Sequence, residues 1–427
     1  MNVLERNRHL AFIPSFYGLI TWTGSLILYA FRWVAWDHSG IASWCMFVAV
    51  PIFFLLSIVT FSKQFRAWMW QSSRRGVSQS RSENARTRLL IGLLHCVGFA
   101  GLAVYVWDIS RSVGGMSQLG IALLNSSYLV RGNDDFTGSI GIQLSYIGWI
   151  AIGITAFEKS NRGLSAMWVL LAFAQFGGNL LFIDRTRPTW IIFTALLMML
   201  VARPTMNIRI VVKKFCITAA LLVSFFVLIA QWVGKVGEGV EAYGDTTISG
   251  SARIIYMYVT TGFPYLNAII ESEDRHTFEP RRLLYPVLKL ASALDLSEAP
   301  PSQVVDVLYV PFPTNVGTFL EPFFRDGGVW FAVFGLLIYS FLFDFLGLVF
   351  LRMQRTFTYF GWAQICFASF IAFFTPKIAS VPLWLFIGLA CMSACCQWRV
   401  KTGNYDLLPP PQKEIVHTSV TAKSLSG

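Results

Sequence analysis

Six arginines stand beside apolar stretches of this chain: Arg185 and Arg187 in FIDRTRPTW, Arg253 in GSARIIY, Arg281 and Arg282 in EPRRLLY, and Arg325 in FFRDGG. A guanidinium keeps its charge at any physiological pH and presents a planar fork of donors to phosphate oxygens. At the outer end of a membrane span that fork lies in the headgroup plane, the depth of a lipid-linked phosphate. Each charge-assisted hydrogen bond there contributes roughly 1.5–3 kcal/mol. Two carboxylates, Glu321 and Asp326, lie in the same stretch, FLEPFFRDGG. Either can take the proton of an attacking hydroxyl, so these residue types suit transfer of a group from a phosphate-activated lipid to an alcohol.

Each of these residues also has a simpler role open to it. Arg281 and Arg282 read first as surface anchors whose stems snorkel to headgroups. Arg187 and Arg325 abut spans and have acids close by, Asp184 and Asp326. Asp326 suits a turn before Gly327 and Gly328, and Glu321 suits a helix start before Pro322. Asp344, inside SFLFDFLGLVF, is costly in lipid and must face protein or water. Its place toward the cytoplasmic end, near Arg352, favours a structural role.

The elements that position these groups are membrane helices. Hydrophobic residues make up 55% of the 427 positions and charged residues 13%, which places the chain in a bilayer. The fold class expected is an all-α polytopic membrane protein with about ten spans of ~20 residues each. They fall at roughly 10–31, 41–61, 89–107, 138–157, 164–183, 188–202, 215–233, 329–351, 357–374 and 379–397. Most of the 34 Lys and Arg residues then sit on the side of the N-terminus, so both termini are expected in the cytoplasm and segment 234–328 outside. The organisation read from this is a transmembrane region over 1–233 with about seven helices and a long periplasmic loop over 234–328. A second transmembrane region, 329–398, holds about three helices, and 399–427 is a flexible cytoplasmic tail. The Ser/Arg-rich stretch 62–88 also reads as a flexible cytoplasmic loop.

In the outer loop SARIIYMYVTTGFPYLNAII reads as a helix lying against the membrane, ended or kinked by Gly262 and Pro264. RRLLYPVLKLASAL gives a second short amphipathic helix, PFPTNVGTF an extended segment, and 116–130 an interfacial helix. The loop carries more acids than bases, so its arginines suit a small anion better than a polyanion. The net charge of +11 reflects topogenesis and anionic headgroups, not nucleic acid.

Several chemistries find no support. There is no Walker A motif, GxGxxG, HExxH or GxSxG. The five histidines are scattered, and the seven cysteines lie in or at the ends of spans, which argues against a metal site and against disulfides. No internal repeat is apparent, which weakens a transporter reading.

The run PTNVGTFLEPFFRDGGVWFAVFG resembles the segment of Wzy-type oligosaccharide repeat-unit polymerases that reads close to Asn-Val-Tyr-Thr, then Tyr, Asp-Phe-Gly and a final glycine-bearing span. HTFEPRRLLYPVLKL and IIYMYVTTGFPYLNAII extend the similarity upstream, and RTRPTWIIF is similar to the family's Arg-Thr entrance into a mid-chain span. Motif similarity covers about 185–195 and 250–345, and similarity of plan covers most of the chain. Arg187 falls on the span-entrance Arg, Asn315 and Thr318 on the Asn-Val-Tyr-Thr positions, and Asp326 on the acid of Asp-Phe-Gly. Gly317 and Gly327 replace the usual Tyr and Phe, which alters the sugar-contact surface.

The resemblance implies transfer of a growing glycan from undecaprenyl pyrophosphate to a lipid-linked repeat unit at the outer face of the bacterial inner membrane. No nucleotide sugar, metal or other cofactor is implied. Arg187 and Arg325 would stabilise the departing pyrophosphate and Asp326, or else Glu321, would act as base. Arg185, Arg253, Tyr258, Arg281, Arg282, Asn315 and Thr318 would bind substrate. Membrane lipids, a chain-length regulator and a flippase are the partners implied, with no nucleic acid. Two alternatives stand beside it: an O-antigen ligase, for which His276 in ESEDRH would be the functional histidine, and a non-enzymatic flippase or carrier, which would place charge in the middle of several spans.

Overall fold

A computed structural model describes residues 7–37, 39–74, 81–112, 140–182, 186–203, 250–272, 279–301, 308–310 and 313–403, with positions 210, 213, 217, 220 and 224. The described chain is all-α but for a two-residue antiparallel ladder between β1 (Leu308–Tyr309) and β2 (Pro313–Thr314). The helices are α1 (Pro14–Ala30), α2 (Ile41–Arg74), α3 (Arg81–Ser112), α4 (Ile140–Arg162), α5 (Ala166–Leu180) and α6 (Thr186–Ala202). After α6 come α7 (Gly250–Thr260), α8 (Gly262–Glu271), α9 (Tyr285–Ala293), α10 (Glu321–Leu337), α11 (Phe343–Met353), α12 (Thr356–Phe370) and α13 (Val381–Gly403). A π-helical turn, Ile338–Leu342, joins α10 to α11.

Lipid offers no partner to a backbone N–H or C=O, so apolar runs of this kind close their hydrogen bonds within helices. Among the described residues four helical stretches are long and apolar enough to cross a membrane: Ile41–Ser72, Thr87–Arg111, Ile140–Asn161 and Glu321–Met353. Shorter apolar helices cover Ala166–Leu180, Thr186–Ala202 and Val381–Cys395. The expected span at 215–233 and the expected interfacial helix at 116–130 lie largely or wholly outside the described residues.

The contact between α3 and α4 is lined by glycine. A Cβ on Gly98 would lie 2.6 Å from the Cα of Gly148, and one on Gly101 would lie 2.5 Å from the backbone N of Ser145. Small residues let the two backbones approach, which supplies the packing that lipid-embedded helices need in place of a hydrophobic drive.

Helix reaches into two stretches expected to be flexible. α2 runs on to Arg74 and α3 begins at Arg81, so helix replaces most of loop 62–88. The extension of α2 is held by packing: His9 bonds Ser62 at 2.6 Å, Trp68 donates to the Leu351 carbonyl at 2.8 Å, and Phe12 meets the Trp68 ring at 5.0 Å. α13 likewise continues to Gly403, so the expected tail starts later than 399, and 404–427 lies outside the described residues.

One end of the bundle is basic. Arg203 Nε donates to the Ser160 carbonyl at 2.5 Å, Arg8 to the Arg203 carbonyl at 3.4 Å, Lys159 to the Leu164 carbonyl at 2.8 Å, and Arg355 to the Ser393 carbonyl at 3.3 Å. Two of these carbonyls, those of Ser160 and Arg203, lie at the C-terminal ends of α4 and α6, where carbonyls lack helical partners. Asp344 is fully buried toward the same end. Its Oδ1 accepts the Ser15 backbone N–H at 2.8 Å and its Oδ2 the Ser57 hydroxyl at 2.6 Å. Its partners are thus the first turn of α1 and a hydroxyl of α2, whereas Arg352 is exposed.

At the opposite end the expected surface helix is instead a plug. The helix does end at Thr260 and resume at Gly262, where Gly262 and Pro264 were expected to end or kink it, and Pro264 sits in the first turn of α8. Phe263, Tyr265 and Leu266 are completely buried, with the Phe263 ring 5.1, 5.3 and 5.0 Å from those of Trp22, Tyr29 and Phe47. Burial of these large rings outweighs the amphipathic pattern that suggested a surface helix. Polar ties finish the seat: the Tyr256 hydroxyl donates to the Leu28 carbonyl at 3.0 Å, and Gly40 N–H donates to Asn267 Oδ1 at 3.1 Å.

Candidate functional site

The segment leading into α10 follows α8 into the bundle. Phe319 N–H donates to the Ala372 carbonyl at 2.8 Å. The Phe319 ring packs 5.6 Å from Trp22 and 4.3 Å from Tyr339. Close approach is what Gly262 permits here, since a Cβ on it would lie 2.5 Å from the Phe373 carbonyl oxygen. Glu321 then starts α10, with Pro322 in its first turn. The helix breaks at Gly327 and Gly328, where Gly328 has φ of 67°. That left-handed conformation suits glycine, and it separates a short lead turn, Glu321–Asp326, from the long span that follows.

On this lead turn four predicted residues come together. Glu321 is 2% exposed, and its Oε1 lies 2.7 Å from Arg325 Nε, one turn on, and 4.0 Å from an Arg282 terminal nitrogen. The Arg325 side chain is 21% exposed and that of Arg282 24%, so a buried carboxylate is screened by two guanidinium groups that themselves reach the surface. Tyr265 of α8 fixes the second side of Arg325, accepting from its terminal nitrogen at 3.0 Å. Asp326, 3% exposed, accepts the Leu283 N–H at 2.8 Å and the Arg282 N–H at 3.3 Å, while its own carbonyl accepts the Glu279 N–H at 3.0 Å. These bonds dock the 279–284 turn onto the lead helix and carry Arg282 with it.

Arg187 stands apart from this cluster, in an aromatic pocket of its own. Its guanidinium carbon is 3.9 Å from the Phe182 ring centroid, 5.2 Å from Tyr146 and 5.8 Å from Trp149, and it donates to the Tyr146 hydroxyl at 3.4 Å. A guanidinium over ring faces is held by their quadrupoles and by stacking. Arg187 opens α6, whose Trp190 donates to Gln364 Oε1 of α12 at 2.5 Å.

No family model, curated protein or solved structure matches this chain. The site is therefore read from its own chemistry. Arg281 pairs with Glu298 at 3.3 Å, with side chains 43% and 88% exposed, the geometry of a surface ion pair that contributes little. Thr318 is fully buried and its hydroxyl accepts the Leu320 N–H at 3.3 Å, so it shapes the turn into α10. Asn315 is exposed beside it. Arg253 is buried on α7 and Tyr258 packs its ring 5.8 Å from Phe374. Arg185, Asp184 and His276 lie outside the described residues. Two residues that carry no motif join the picture: Tyr265, and Lys377, whose ammonium is 5.0 Å from the Trp190 ring centroid. Among the described residues no cluster of His, Cys, Asp and Glu could hold a metal ion.

The two oxygens of Asp326 are engaged by backbone N–H groups, whereas Glu321 borders the two arginines that reach the surface. Asp326 is the tether of the 279–284 turn, and Glu321 is the carboxylate placed beside the open, cationic side.

Proposed function

We propose that this protein is a membrane glycosyltransferase of the polymerase type, moving a growing glycan from undecaprenyl pyrophosphate to a lipid-linked repeat unit at the outer face of the bacterial inner membrane. The observation that carries the reading is the buried Glu321 flanked by Arg325 and Arg282 at the end of the bundle opposite the basic one. An excess of cations at one end favours that end as cytoplasmic, with both termini there. The glycan-bearing lipid, membrane lipids, a chain-length regulator and a flippase are its partners.

In the reaction the acceptor hydroxyl attacks the anomeric carbon of the donor sugar and the bond from that carbon to the pyrophosphate oxygen breaks. Arg325 and Arg282 neutralise the leaving pyrophosphate, and guanidinium groups already held in place by their partners do so with little reorganisation. Glu321 accepts the hydroxyl proton. Tyr265 holds Arg325 in place. Tyr265→Phe keeps the ring and removes the acceptor, and loss of a charge-assisted bond of roughly 1.5 kcal/mol corresponds to about a tenfold lower polymer yield. Yield equal to wild type at equal expression would remove Tyr265 from the site.

Deletion of the gene in its host, with the surface polysaccharide run on a gel, tests the function. Caps of a single repeat unit are expected. Loss of all capped lipid A would instead indicate a ligase, and loss of outward-facing lipid-linked repeat units a flippase. A reporter fused at residue 290 is expected outside the cytoplasm, and a cytoplasmic signal would overturn the proposed orientation.

A further inference from the structure

We propose that α9 lies along the bilayer surface with one face seated among lipid acyl chains, and that this seat sets the height of Arg282 relative to the headgroups. The partner is a lipid surface. The step to Arg282 rests on the function proposed above; the seat itself does not.

Exposure defines the face. Val287, Leu290 and Leu294 are 63%, 65% and 61% exposed, and Leu284, just before the helix, is exposed with them. Steps of three, three and four residues bring these four to one side of a helix, and Lys289 falls away from them by the same periodicity. Single exposed leucines are ordinary, whereas a row along one helix face marks a surface that something apolar covers. Leu296, 75% exposed, extends the row past the helix end.

Two further observations favour lipid as the cover. A helix can rest against hydrocarbon only with its backbone groups paired, and at both ends of α9 they are. The N–H of Arg281 donates to the Glu279 carbonyl, those of Arg282 and Leu283 to Asp326, that of Leu284 to the Pro280 carbonyl and that of Tyr285 to the Arg282 carbonyl. Pro286 has no N–H to satisfy. At the far end Asp295, with φ of 56°, turns the chain so that its N–H meets the Ser292 carbonyl at 3.1 Å and the Leu296 N–H meets the Ala291 carbonyl at 2.8 Å. These are the two closing bonds of a Schellman end. The second observation is the neighbour: α9 packs against α13, an apolar helix over Val381–Cys395, so the row adjoins the membrane region. At nine residues α9 is too short to span, and it takes the in-plane position of an interfacial helix.

Arg282 is coupled to this seat through a short, bonded stretch of chain. It lies three residues before α9 begins, its N–H is held by Asp326 at 3.3 Å, and its side chain reaches to 4.0 Å from Glu321. A seated α9 therefore keeps that guanidinium at the level of headgroup phosphates.

The full chain in lipid nanodiscs, with the fluorescent amino acid dansylalanine introduced singly at positions 287, 290, 294 or 298, tests this. At 287, 290 and 294 the expected emission is shifted to the blue and quenched when the acyl chains are brominated; at Glu298, whose side chain is 88% exposed, it is water-like and unquenched. Water-like emission at 290 in a protein of wild-type melting temperature would overturn the seat. Blue-shifted emission that brominated lipid leaves untouched would overturn it too, by showing that a protein, a second copy or another chain, covers the face. Leu290→Asp is expected to abolish the quenching read at 294 and to weaken binding of farnesyl pyrophosphate, a short lipid pyrophosphate, about tenfold, the share of one charge-assisted contact. Leu290→Met should keep both. Lost quenching with wild-type affinity would overturn the coupling to Arg282. Fluorescence reads the seat whatever the enzyme makes, so a gene deletion without single-repeat caps would overturn the polymerase reading and leave the seat standing.

Discussion

On the function proposed above, Glu321→Gln is expected to abolish polymer formation, lowering turnover by roughly the 10²–10⁴-fold that a positioned base contributes, while farnesyl pyrophosphate still binds. The amide keeps the shape of the side chain and can keep an oxygen beside Arg325, the ion-pair partner 2.7 Å away, but it takes no proton. Asp326→Asn is expected to fail differently. Its amide nitrogen would face one of the two backbone N–H groups that now donate to the carboxylate, and an unsatisfied buried donor costs about 1–3 kcal/mol. The outcome is a loosened 279–284 turn, a lower melting temperature and a partial loss of polymer through misplacement of Arg282. Normal polymer from Glu321→Gln, with none from a well-folded Asp326→Asn, would return the role of base to Asp326.

Asp344→Ala is expected to cost about 3 kcal/mol or more, since it strands two buried donors at 1–3 kcal/mol each. One of them, the Ser15 N–H, belongs to the first turn of α1, where no helical carbonyl is available to replace the carboxylate. Asp344→Asn should be milder, because its carbonyl can still accept from Ser15 and the Ser57 hydroxyl can rotate. Melting of the detergent-solubilised protein checks the order wild type, Asn, Ala. A melting temperature for Asp344→Ala equal to wild type would show that the contact contributes nothing.

Helical membrane architecture was legible in the sequence because hydropathy reports a property of each residue alone. The site was legible only where charge and span boundary coincide. Arg325 and Glu321 announced themselves as ionisable groups at the mouth of an apolar run, and they do meet. Asp326 was readable as an acid but not as a tether, since its partners are backbone N–H groups of residues 282 and 283, which no side-chain pattern encodes. Tyr265 and Lys377 were invisible for a related reason: one looks like core and the other like a surface lysine, and only packing brings each beside its partner. The helix at 250–271 was found as a helix and misplaced in depth, because an amphipathic stripe is the same whether its apolar side meets lipid or buried tryptophan.

That depth has an engineering consequence. Segment 250–326 is not a detachable module. Its rings are interleaved with Trp22, Phe47 and Tyr339 from three different helical stretches, so grafting it onto a foreign scaffold would transplant half of an interface. On the proposed function, chimeras intended to swap sugar preference would have to exchange those aromatic partners along with the segment, and specificity would be inherited as a whole bundle.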